Sequence, residues 1–178
     1  MKEPLLHPTP YPDINAVLHV FVSNVQAVLG DLFVGLYLYG SLACGDFDPL
    51  RSDVDFLVVT ATEIPQTMLP ALEAMHERIA AIGLKWARKL EGSYIPQAAL
   101  RRYNPAHARH PSYWSGRFGI DLHRSDWILH LRHDLVARPR LIQQLDAGLE
   151  RRFTLVSARG GWRSPDAGCI ALDSGFHR

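Results

Sequence analysis

Two aspartates, Asp53 and Asp55, interrupt "SDVDFLVVT", a run that otherwise reads as a buried strand. Residues two apart on a strand point to one face. The spacing therefore predicts two carboxylates side by side, with Val54 and Phe56 directed the other way. Such a pair repels, and burying it unpaired is costly. A divalent cation removes both penalties. An all-oxygen site suits Mg²⁺, which takes one or two carboxylates and completes its shell with substrate phosphates. The plain alternative is a strand entrance whose aspartates are satisfied by Ser52 and turn amides.

Upstream, Gly40-Ser41 closes an earlier apolar run, with eleven residues between Ser41 and Asp53. A glycine at a strand end permits close backbone approach, and the amides after it can hold phosphate oxygens. The serine hydroxyl adds a donor. Alone, such a pair is an ordinary turn. Glu91, in "KLEGSYIP", falls on a third predicted strand. A carboxylate there could take the proton of an attacking hydroxyl or serve as a third metal ligand; a surface Glu at a strand end is the alternative. No G-x-x-x-x-G-K-[ST] occurs, which excludes a P-loop ATPase.

The elements that must hold these residues are legible in part. "PDINAVLHVFVSNVQAVLGD" predicts a helix, with Ile14, Val17, Leu18, Phe21, Val25, Val28 and Leu29 at three- and four-residue steps. Asp13 suits its start and Gly30 its stop. "LFVGLYLY", Leu32 to Tyr39, reads as a strand ended by Gly40, and a second strand runs from Val54 to Thr60. "TMLPALEAMHERIAAIG" is amphipathic at Leu69, Leu72, Met75, Ile79 and Ile82, with Gly83 as its cap. "RKLEGSYIP" is a third strand ending before Pro96, and "QAALRRY" one or two helical turns. Helix, strand, strand, helix, strand is an α/β order with a small mixed sheet flanked by helices. Beyond Asn104 the periodicity degrades. "SDWILHLRHDL" and "LIQQLDAGLERRF" are candidate helices, and the end from Ser157 carries Gly, Ser and Pro without a period, the pattern of a partly disordered segment.

The Gly-Ser, spacer and Asp-x-Asp together resemble the signature of the nucleotidyltransferase superfamily. "LYGSLACGDFDPLRSDVDFLVV", then "LEGSYIP", then "SDW" resemble the aminoglycoside adenylyltransferases of the streptomycin/spectinomycin-resistance type, over roughly Phe33 to Trp127. The resemblance implies transfer of AMP from ATP to a hydroxyl of a small molecule such as an aminoglycoside, with displacement at the α-phosphorus and loss of pyrophosphate. It implies Mg²⁺, two ions by the two-metal chemistry of such displacements. Asp53 and Asp55 would bind metal, and Glu91 would be the catalytic base or a further ligand. Gly40, Ser41, Ser52 and Asp126 would contact ATP. It also implies a catalytic domain over residues 1–103 and, over residues 104–178, an extension too short for the helical domain that closes over the cleft in such enzymes. Two other readings follow from that shortness: a minimal antitoxin-type nucleotidyltransferase that modifies a protein, and a truncated nucleotide-binding remnant without turnover.

Charge and composition narrow the partners. Residues 1–100 hold 6 Lys+Arg against 11 Asp+Glu, and residues 101–178 hold 13 against 7. The arginines of the second part do not interleave with aromatics in a nucleic-acid motif, so no nucleic-acid partner is expected. No apolar run reaches the roughly 18 residues of a membrane span, and the start lacks a signal-peptide core. Two cysteines, Cys44 and Cys169, make no disulfide framework and fit a reducing cytoplasm. The pairs His107/His110 and His130/His133 lack further ligands at zinc spacing. A homodimer could lend a cleft wall in trans.

Overall fold

A computed structural model describes residues 9–44, 46–101, 104, 109–120 and 153–155. The chain enters through a clamp: Thr9 donates its amide and hydroxyl to Asn15 Oδ1 at 3.0 and 2.8 Å, and Asn15 Nδ2 donates back to the Thr9 carbonyl at 2.8 Å. Helix α1, Pro12–Leu29, follows. Pro12 opens it, where a missing amide costs nothing, and Gly30 ends it at φ +53°. Its apolar stripe, Ile14, Val17, Leu18, Phe21, Val25 and Leu29, is buried as the spacing requires.

Strand β1, Phe33–Leu38, leads into a five-residue helix α2, Gly40–Cys44, so the Gly-Ser pair opens a helical turn. Strand β2 is Val54–Thr60, helix α3 is Leu69–Ala80, and strand β3 is Leu90–Pro96, followed by the short helix α4, Gln97–Arg101. Strand β3 runs through Pro96, which pairs with Thr60, rather than stopping before it. Helix α3 ends earlier than its pattern predicts. Ala81 is the cap residue, Gly83 lies in the turn beyond at φ +80°, and Ile82 is exposed. The buried stripe is Leu72, Met75, His76 and Ile79, which places a histidine in the core.

Three strands break from the pattern. Strands β4, Ser112–Trp114, and β5, Arg117–Gly119, form a hairpin on the far edge of β3. Three-residue strands carry too little period to register in sequence. Phe153–Leu155, whose first residue ends a candidate helix, forms strand β6 alongside β1. The other candidate helical residues, and the end from Ser157, lie outside the described residues.

Among the described residues the sheet order is β5-β4-β3-β2-β1-β6. It is mixed: β1 and β2 are antiparallel, β2 and β3 parallel, and β4 antiparallel to both β3 and β5. The parallel pair needs a crossover, which α3 supplies. The sheet thus continues past residue 103. Helices α1 and α3 cover one face, packing on Leu36, Leu38, Val54, Phe56, Val58 and Tyr94. Tyr37, Tyr39, Leu57, Val59 and Ile95 form a second cluster on the opposite face. By alternation Asp55 shares that second face with Leu57 and Val59, and Glu91 shares it with Ile95. No helix among the described residues is long and apolar enough to cross a membrane.

Candidate active site

Parallel pairing of β2 and β3 sets Asp55 directly opposite Glu91. The two carboxylates therefore stand as cross-strand neighbours on one face, at the end of the sheet where β1 turns into α2. The Asp55 carbonyl accepts the Tyr39 amide at 3.2 Å, which draws the end of β1 onto the same spot. Gly40 follows at φ +67°, and a Cβ there would overlap the Asp55 carboxylate, 2.8 Å from its Cγ. Glycine is required twice over, for the backbone angle and for room beside Asp55.

The electrostatics are those of crowded anions. Burial, then Glu91, then Asp53 push the Asp55 carboxyl up to about 7. Glu91 is raised by burial and by Asp53, and held back by the amide and hydroxyl of Ser115 and by Lys89. The buried Tyr39 phenol is raised well above its ordinary value by burial, with Asp55 and Glu91 adding to it. Among the described residues Lys89 answers this group, with Nζ 2.9 Å from Asp53 Oδ1. Its own pKa is raised chiefly by that hydrogen bond. Ser115, at the tip of the β4–β5 hairpin, donates its amide to Glu91 Oε1 at 3.1 Å.

The predicted residues are thus distributed as follows. Asp55 and Glu91 face each other, and Asp53 lies close enough to act on both, just before β2. Asp53 is turned to Lys89, and no three His, Cys, Asp or Glu side chains among the described residues already form a metal-binding group. Gly40 and Ser41 start α2 beside Asp55. Ser52 is occupied locally: its hydroxyl accepts the Asp48 amide at 3.0 Å, and its amide donates to the Asp48 carbonyl at 2.8 Å. Asp126 lies outside the described residues, as do His107, His130 and His133. His110 is buried, with Nδ1 3.9 Å from Glu63.

The donor set still fits Mg²⁺. Its oxygens are hard and anionic, and burial together with their mutual repulsion raises Asp55, a shift that a cation would reverse. Mg²⁺ does not need a ready-made cage, because phosphate oxygens of the substrate complete its shell. Two contributors, Lys89 and Ser115, escaped the sequence reading. Lys89 lies two residues before Glu91, a same-face spacing, but reads as a surface lysine. Ser115-Gly116 is a turn pair between Trp114 and Arg117, a weak hairpin signal.

Residues 26–97 match the family model described as the nucleotidyltransferase domain. The match covers less than half of the chain. It spans β1, α2, β2, α3 and β3, and so contains every described member of the carboxylate site except Ser115. Among solved structures, the chain is similar to spectinomycin adenyltransferase AAD(9) from Enterococcus faecialis, crystallised with ATP and spectinomycin. Identity is 21% and the TM-score 0.43, over 66% of this chain and 44% of that one. The chain therefore spans less than half the length of that structure. No curated protein matches it.

Proposed function

We propose that the chain transfers AMP from ATP to a hydroxyl of a small molecule in a Mg²⁺-dependent reaction, with an aminoglycoside-like sugar as the favoured acceptor. The observation that carries this reading is the Asp55–Glu91 pair, set opposite each other by strand register beside Gly40, within the stretch that matches the nucleotidyltransferase domain model. Asp53 and Asp55 would hold the metal, Asp53 exchanging Lys89 for it. When bound, Mg²⁺ supplies positive charge to the attacking and leaving oxygens of an in-line displacement. The amides that open α2 and the Ser41 hydroxyl would meet the phosphates that leave as pyrophosphate, and Ser52 and Asp126 would lie on the ATP side. Glu91 would take the acceptor's proton as its oxygen attacks the α-phosphorus, or join the metal ligands. The aminoglycoside preference rests on the resemblance of the sequence motifs alone. We assign the protein to the cytoplasm on its cysteine content and leave a homodimer as one way to complete the acceptor wall. Residues 1–103 with the β4–β5 hairpin would form the catalytic unit, and the remainder the extension.

The experiment is pyrophosphate release from ATP and Mg²⁺, with and without an aminoglycoside panel, against Asp55→Asn. Drug-dependent release abolished by the substitution is expected. Release that requires a co-purified protein would favour the antitoxin-type reading. ATP binding without release under any condition would favour a remnant.

A further inference from the structure

We propose that Ser115, at the tip of the β4–β5 hairpin, is a positioning residue that fixes the orientation of the Glu91 carboxylate. The proposal rests on the reading of Glu91 as a working carboxylate and adds to it a residue outside the matched domain.

The turn itself is the first observation. Trp114 and Arg117 pair across a two-residue loop, Ser115-Gly116, with φ of +47° and +76°. Positive φ at both central residues marks a type I′ hairpin turn, for which Asn-Gly and Gly-Gly are the usual choices. Ser115 is the one non-glycine residue with positive φ among the described residues. A side chain held there costs roughly 1–3 kcal/mol, and such strain concentrates at functional sites. In this turn the hydrogen bond runs between the flanking residues, so the amide of the first central residue is left over. That amide donates to Glu91 Oε1 at 3.1 Å, and the hydroxyl beside it adds a smaller pull that lowers the Glu91 pKa. A glycine would offer the amide without strain but could not supply the hydroxyl.

The second observation is the anchoring of the hairpin. Tyr113, one strand residue before the turn pair's neighbour Trp114, pairs with Gly92 and stacks on His76 at 4.0 Å between ring centroids, 11° from parallel. The Tyr94 amide donates to the Pro111 carbonyl at 2.8 Å, and the Ser112 hydroxyl donates to the Gly119 carbonyl at 3.2 Å. The strands are fixed against β3 and α3 while the turn stays exposed. An exposed hydrogen bond adds little to stability, so its consequence is the direction in which Glu91 faces.

The test compares Ser115→Gly, Ser115→Asn and Glu91→Gln with the parent protein. Ser115→Gly relieves the strain, so its melting temperature should hold or rise. Its kcat for pyrophosphate release should nevertheless fall about 10- to 100-fold, the usual cost of removing an orienting partner, with KM for ATP unchanged. Ser115→Asn, which tolerates positive φ and keeps a side-chain donor, should restore most of the loss. Full kcat in Ser115→Gly beside an inactive Glu91→Gln would overturn the positioning role alone. Full kcat in Glu91→Gln would overturn the working role of Glu91 and this proposal with it. A readout free of turnover is the amide proton resonance of Ser115. Glu91→Gln should move it upfield by replacing a charged acceptor with a neutral one. A resonance that does not move means the contact is not made in solution, and refutes the proposal even in a preparation that does not turn over.

Discussion

Acid should act on this protein through two buried groups that pull against each other. His76 lies within an aromatic cage of Phe21, Phe56, Tyr94, Tyr113 and Phe118, with Nε2 2.7 Å from the Tyr94 hydroxyl. Burial lowers its pKa from 6.5 to about 3. The unfolded chain therefore takes up a proton as pH falls below 6.5, and the folded chain refuses it until about 3. Stability is full above that window and falls with pH at about 1.4 kcal/mol per unit. From about pH 6.5 to 4.5 the loss is about 2 to 3 kcal/mol. Asp55 works in the opposite sense. Its pKa rises from 3.8 to about 7, so the folded chain binds a proton well before the unfolded one. Stability then rises as pH falls from 7 toward 3.8, with the same slope per proton, and Glu91, also raised, adds to it. The parent protein in metal-free buffer should show a nearly level profile across this window. Urea titrations of Asp55→Asn should uncover the His76 slope, losing about 2 to 3 kcal/mol between about pH 6.5 and 4.5 relative to the parent. His76→Gln, which keeps a partner for the Tyr94 hydroxyl but cannot titrate, should gain stability over the same range. Other titrating groups are common to all three proteins and cancel in the comparison. An Asp55→Asn profile as level as the parent's would mean that native His76 accepts its proton normally, and the aromatic cage would not be the environment described.

Two glycines test the packing on either side of the site. A Cβ at Gly92 would overlap the Phe56 backbone oxygen on the neighbouring strand and lie 2.7 Å from the Phe56 ring. Gly92→Ala should cost about 3 kcal/mol, seen as a melting temperature roughly 6–12 °C lower; an unchanged melting point would contradict the β2–β3 spacing. Gly40→Ala should cost about 1–2 kcal/mol for its left-handed backbone and also displace the Asp55 carboxylate. Pyrophosphate release should therefore fall far more than folding stability does, and activity retained in a folded Gly40→Ala protein would separate Asp55 from the chemistry.

What the sequence discloses and what it hides divide along physical lines. Strands β2 and β3 are runs of apolar, β-branched and aromatic residues, and their limits are legible to within a residue or so. Asp53, Asp55 and Glu91 stand out because charge inside such a run demands a reason. That Asp55 meets Glu91, rather than a residue two places along, depends on register across a crossover of some thirty residues, and no local pattern encodes it. His76 was hidden by its chemical type. The stripe Leu72, Met75, His76, Ile79 follows helical spacing without a gap, but a histidine is polar by type, and the apolar pattern runs on to Ile82 instead. The chain ends the helix at Ala80 before Ile82 can turn inward. Ser115 and Lys89 were hidden by their ordinariness. Each is a common surface residue whose role exists only through the carboxylate it touches. Residues that carry charge into an apolar strand disclose themselves by the penalty they would otherwise incur. Those that orient or neutralise them incur no such penalty, so their contribution becomes visible only when the strands are paired.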